Sequence, residues 1–209
     1  MLRIGIELND VVRNINKQYL KYYQKVFDES LDIDEIDDRD DVLSVLKFEN
    51  QKERDNFIYT DYPYEIFGCA DSMEKGLAMN LRVWTESLSD IEEDDVRLSF
   101  YSLDEGGLTI QSTYFFLSKL GTRARKVFFP VKIDEIWEEC DVVVTANEKV
   151  INSHIPEGKK VVLINRKKNE QFKPKAALNY DELNDLLKDP MFFSKITDGK
   201  INNINDYQS

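Results

Sequence analysis

Five short apolar runs, spaced by stretches of helical character, constrain this chain more than any other feature. They are "LRIGI" at 2–6, "VRLSFYS" at 96–102, "KVFFP" at 126–130, "DVVVTA" at 141–146 and "KVVLIN" at 160–165. Near-continuous apolar runs of this length are what strands covered on both faces require. Between the second and third lies "STYFFLSKLG", with Gly121 where a helix commonly ends. Between the third and fourth lies the short helical candidate "KIDEIWEEC". After the fifth, Asn179 and Glu182 have capping-box spacing ahead of Leu183, Leu186 and Leu187. Strands alternating with helices predict an α/β fold, a parallel sheet of about five strands with helices on both faces.

Residues 14–90 break that rhythm. "NINKQYLKYYQKVFD" reads as a helix with Ile15, Tyr19, Tyr22, Tyr23 and Val26 on one side. "DDVLSVLKF" and "NQKERDNFIY" read as shorter helices. Further on, Met73, Leu77, Leu81, Trp84 and Leu88 recur at helical spacing, a pattern that normally marks core. The expected organisation is a discontinuous α/β core at 1–13 and 91–190, a helical cap inserted at 14–90 after the first strand, and a polar tail at 191–209. No segment approaches the ~20 consecutive apolar residues that span a bilayer. Met1 leads straight into the first strand, so a soluble, unprocessed chain is expected.

The formal charge of -12 argues against nucleic acid as a partner, because phosphate binding draws on clustered Lys and Arg. The acid is concentrated in "DESLDIDEIDDRDD" at 28–41, nine carboxylates against one arginine, and in "DIEEDD" at 90–95. Such runs are usually solvated loops. The first lacks the alternating oxygen ligands and central glycine of a calcium loop, and docking of a protein partner stays open. Cys69 and Cys140 belong to no metal or redox motif, which favours a reduced, cytoplasmic setting and two buried thiols. His154 is the single histidine and precedes a turn-like "IPEGKK", so it reads as a loop residue. "DEGG" at 104–107 lacks the lysine-hydroxyl ending of a P-loop and reads as a turn.

The first strand runs into "ELNDVV", the second ends in Ser102, a lysine region follows with Lys132, and the chain continues through "CDVVVTANEKVI", "VVLINRKKN" and "LNYDEL". In this order the chain resembles the haloacid dehalogenase-like (HAD) superfamily, in its 5'(3')-deoxyribonucleotidase-like branch, over roughly residues 2–188. The resemblance implies a Rossmann-like core with a helical cap, an aspartate nucleophile, an aspartate acid/base two residues later, and magnesium. Here those two positions read Glu7 and Asn9. Glutamate is one methylene longer, and misplacement by about 1 Å can cost on the order of 100-fold. Asparagine cannot donate and recover a proton at neutral pH. The resemblance also implies metal-binding aspartates at the tip of the fourth strand, where Thr145, Ala146 and Asn147 stand instead. Ser102 and Lys132 match the family's phosphate-contacting hydroxyl and lysine, although strand-end serines are common in turns and lysines at helix starts usually face solvent.

These losses point to a catalytically inactive HAD-like module with a structural or protein-interaction role, with no cofactor and no metal expected; Glu7 and Asn147 are weak metal candidates. Contact surfaces would be the acidic run 28–41, the aromatic-rich cap (Tyr19, Tyr22, Tyr23, Phe27, Phe57, Tyr59, Tyr62, Tyr64) and the C-terminal tail. Richness in Asp, Asn, Lys and Ile suits an AT-rich genome such as a phage's, where the module would serve as a virion subunit. The alternatives are a divergent Mg2+-dependent phosphatase or 5'-nucleotidase built on Glu7, Ser102 and Lys132, and a non-hydrolysing nucleotide or phosphate binder.

Overall fold

A computed structural model describes residues 2–27, 42–73, 76–77, 79–83, 96–103, 107–122, 126–164 and 177–178. All five expected strands form: β1 (Leu2–Glu7), β2 (Val96–Tyr101), β3 (Val127–Phe128), β4 (Val142–Thr145) and β5 (Lys160–Ile164). A sixth, β6 (Ala177–Leu178), was not expected and adds an edge beside β5. Every pairing is parallel, and the order is β3-β2-β1-β4-β5-β6. In open sheets of this order the connections leaving β1 and β4 run to opposite sides, and a crevice opens between their carboxyl ends.

Side chains alternate across the sheet as the pleat demands. Ile4, Ile6, Phe100, Val142, Val144, Val162 and Ile164 pack on one face against Phe116 and Leu117 of helix α4 (Ile110–Leu120). Tyr101 and Val143 pack on the other against Ile136 and Trp137 of helix α5 (Ile133–Glu139) and Val150 of helix α6 (Glu148–Ile151). Gly5 is required there: a Cβ would stand 2.5 Å from Cys140 Sγ. Gly121 ends α4 in the left-handed conformation (φ 70°) with its N–H on the Leu117 carbonyl, as the sequence predicts.

Helix α1 (Ile15–Phe27) opens the insertion, with the Asn14 side chain accepting from the Lys17 N–H at 3.0 Å. Helices α2 (Val42–Val45) and α3 (Gln51–Asp55) follow, and then two π-helical turns: Asn56–Asp61, where the helix expected over 50–59 was of ordinary period, and Tyr64–Gly68, for which no helix was expected. This part has its own core, built around Ile15, Tyr19, Leu20, Tyr23, Phe57, Ile66 and Phe67. Val26, expected on the buried side of α1, is exposed. The insertion is closed at its base by backbone bonds, Asn14 N–H to Asp71 O (2.8 Å) and Met73 N–H to Val12 O (2.9 Å). Beyond that neck, Leu77 and Leu81 pack into the sheet's core rather than the insertion's, with Met73 against it. Trp84, Leu88, the acidic runs 28–41 and 90–95, the helix expected after Asn179 and the tail 191–209 lie outside the described residues. Among the described residues no helix is long and apolar enough to cross a membrane.

At the amino end of the sheet, Asp141 receives Arg3 Nη2 (2.8 Å), Arg3 Nε (3.1 Å), the Arg3 N–H (2.9 Å) and Lys159 Nζ (2.7 Å). Burial pushes its carboxyl up, but the bonds from Arg3 and Lys159 outweigh it and hold the group well below the usual carboxylate range. The stability so conferred is complete above the unfolded carboxyl value of about 3.9 and is lost as pH falls toward the lower folded value. Asp141→Asn is therefore expected to cost about 1–2 kcal/mol at pH 7. In urea titrations at pH 7, 4 and 2.5 the gap from the parent protein should narrow only below pH 4.

Candidate functional site

A cleft of about 380 Å³ opens where the chain leaves β1 and β4 and α1 begins. Glu7, Asn9 and Asp10 come from the β1 loop, and Ala146, Asn147, Glu148 and Lys149 from the β4 loop. Ile15, Asn16 and Tyr19 of α1 form the facing wall, with Leu43 and Leu103 beside them. The carboxyl ends of β1 and β4 thus bring Glu7 and Asn147 into one cleft. Strand alternation puts Glu7 and Thr145 on the same face of the sheet, and Glu7 is 1% exposed.

The Thr145 hydroxyl donates to Glu7 Oε2, and Asn147 Nδ2 donates to Glu7 Oε1 at 3.3 Å. Thr145 Oγ1 in turn accepts the Asn147 N–H at 2.9 Å. Asn147 Oδ1 accepts the Lys149 N–H at 3.0 Å, so this side chain caps α6 with its oxygen and offers Glu7 its nitrogen. Tyr101 stands in register with Glu7 on the neighbouring strand; burial first, and then the nearby Glu7 charge, push its phenol well above its ordinary value, so it stays neutral.

Behind the loop lies a residue that reading the sequence missed. Arg13 is fully buried. Its Nε donates to Asn9 Oδ1 (2.6 Å), Nη2 to Ser102 Oγ (3.0 Å), and Nη1 to Thr113 Oγ1 (3.0 Å) and the Phe67 carbonyl (3.2 Å). The Phe67 and Phe116 rings flank the guanidinium at 5.1 and 5.7 Å. The loop is folded back to allow this: the Asp10 N–H bonds the Arg13 carbonyl at 2.9 Å and Asp10 takes φ 59°. Arg13 follows the apolar pair Val11 and Val12, and an arginine at the foot of a helix carries no periodic signal that marks it as buried.

Ser102 is thus inside, 1% exposed, with its hydroxyl accepting from Arg13 rather than facing the cleft wall. Lys132 is exposed at the capping position of α5 and does not line the cleft. Asp141 is at the opposite end of the sheet, and His154 is an exposed loop residue, as its sequence context suggests. Cys140 is buried, and burial pushes its thiol up to about 12; Cys69 is half-buried. Residues 104–106 of the glycine turn lie outside the described residues.

The magnesium ion implied by the family resemblance does not fit these donors. A hard dication takes carboxylate, carbonyl and water oxygens. Asn147 presents NH2 to Glu7, Asn9 Oδ1 already accepts from a guanidinium, and among the described residues no group of three His, Cys, Asp or Glu side chains is placed to hold a metal. What the arrangement provides is a cleft of mixed polar and apolar lining that carries three carboxyls, Glu7, Asp10 and Glu148, of which Glu7 is fixed by Thr145 and Asn147. No protein-family model matches the chain, and no curated protein matches it.

Removing the guanidinium would strand four acceptors and open a cavity between two rings. Arg13→Met is expected to lower unfolding free energy by about 2–4 kcal/mol, because buried acceptors lose their donor, read from urea denaturation. Arg13→Lys should fall between this and the parent protein, because an ammonium has three donors and no planar fork.

Proposed function

We propose that this chain is a catalytically silent, HAD-like α/β module that acts by binding, in a structural or protein-interaction role. The observation that carries the reading is the Arg13 guanidinium bonded to both Asn9 and Ser102. These are the positions the resemblance assigns to proton transfer and phosphate contact. An asparagine amide supplies no proton to a leaving group, and a hydroxyl that is 1% exposed and absent from the cleft lining does not reach a phosphate held there. Glu7, at the nucleophile position, has each oxygen held by a neighbour. The charge of -12 and the aromatic insertion favour protein partners over nucleic acid. With millimolar Mg2+, the purified protein should hydrolyse neither nucleoside monophosphates nor p-nitrophenyl phosphate faster than its Glu7→Ala variant. Turnover abolished by that substitution would establish a divergent phosphatase instead.

A second reading keeps a ligand without a reaction. The cleft's volume is that of a small-molecule site, and it lies at the sheet's switch point, where open α/β sheets take ligands. A nucleotide or phosphate held there would raise the melting temperature by mass action. Nucleoside monophosphates and inorganic phosphate at saturating concentration separate the two: a rise of several degrees supports the binder, and an unchanged melt removes it.

A further inference from the structure

We infer that the carboxyl end of α1 carries a docking site for a basic, partly apolar segment of a partner protein. This deepens the interaction role proposed above and rests on it. A hollow of about 330 Å³ lies there, apart from the cleft at the other end of the same helix. Its floor is aromatic: Phe57 is buried, and its ring centroid lies 5.5 Å from that of Tyr62 and 5.8 Å from that of Phe27. Its wall is the last turn of α1, where Val26 and Phe27 are each 36% exposed. Apolar side chains left open above an aromatic floor are what a partner's side chain can desolvate.

The rim decides the sign of the partner. Glu49, Glu53 and Asp61 border the hollow against the single Lys52. Glu53 is held in place, its Oε2 accepting the Glu49 N–H at 2.6 Å. A carboxylate rim over aromatic rings suits an ammonium or guanidinium whose alkyl stem covers the rings while its charge meets the rim. The same helix already shows such a contact, with Lys25 Nζ 5.0 Å from the Tyr22 ring centroid. The chain's own residues 28–41 follow Phe27 but carry nine carboxylates against one arginine, the same sign as the rim. A second copy brings a charge of -12. Both are repelled where a basic segment is attracted.

The test is a fluorescence-anisotropy titration with a labelled twelve-residue peptide of alternating Lys and Leu, run at 150 mM salt so that diffuse attraction is screened. It is compared with an alternating Glu and Leu peptide and with a peptide of residues 28–41. Saturable binding of the Lys peptide alone is expected. Glu49→Lys with Asp61→Lys, both at exposed positions, should weaken it about tenfold or more, and Phe27→Ser similarly. Glu157→Lys, on an exposed turn elsewhere, should change it less than about twofold. Thermal melts of each variant show that it is folded. Four results overturn the inference: no saturable binding, equal loss in the Glu157→Lys control, preferential binding of the 28–41 peptide, or a dimer that Phe27→Ser dissociates. Each leaves the silent-module reading standing, whereas phosphatase turnover would end that reading without touching this titration.

Discussion

A guanidinium with no access to water must find acceptors, because an unpaired buried charge costs several kcal/mol. Arg13 meets that demand by reaching four parts of the chain: the loop after β1 through Asn9, the end of β2 through Ser102, α4 through Thr113, and the insertion through the Phe67 carbonyl. The planar fork makes this possible, since its donors leave in fixed directions from one centre. The insertion therefore cannot shift on the sheet without breaking bonds that water is not there to replace. Lys119 adds to the same seam, donating to the Gly68 and Ala70 carbonyls at 3.4 and 3.3 Å. The neck bonds between 12–14 and 71–73 hold the two chain crossings side by side.

That seam also shapes the cleft. Its far wall is α1, whose first turn is tied to the β1 loop by Asn16 on Asp10 at 3.3 Å and whose Gln18 reaches the Glu65 carbonyl at 2.6 Å. Its near wall includes Glu7 and Asn147, both bonded to the buried Thr145. Groups fixed in this way make a well-defined surface, because each holds the next in one orientation.

Much of the architecture was legible in the residues. The five strands lie where the apolar runs put them, and Gly121 ends α4 as its position predicts. These are local matters: strand burial, helix caps and a positive φ are properties of a few adjacent residues. The edge strands were harder. β3 shrinks to two residues, and β6 is equally short, because a strand at an edge exists only where a neighbour offers it a ladder. The π-helical turns at 56–68 were illegible for a related reason. An i→i+5 bond such as Cys69 N–H to Tyr64 O (3.0 Å) is stabilised by the packing around it, not by a sequence period. The stripe of Met73, Leu77 and Leu81 was rightly read as core, yet which core it joins depended on where the neck returns the chain.

The candidate site divides along the same line. The amino-acid sequence by itself determined that a carboxyl, an amide and neutral oxygens stand at the carboxyl ends of β1 and β4, since strand boundaries follow from local hydrophobicity. Only the tertiary structure decided that residue 13 meets residues 102 and 113, which are 89 and 100 positions away. It also decided that Asn147 turns its oxygen to α6 and its nitrogen to Glu7. Hydrophobic periodicity says which face of an element is buried. It does not say which polar group from a distant segment will be waiting there, because that pairing is set by how the packed elements bring their ends together.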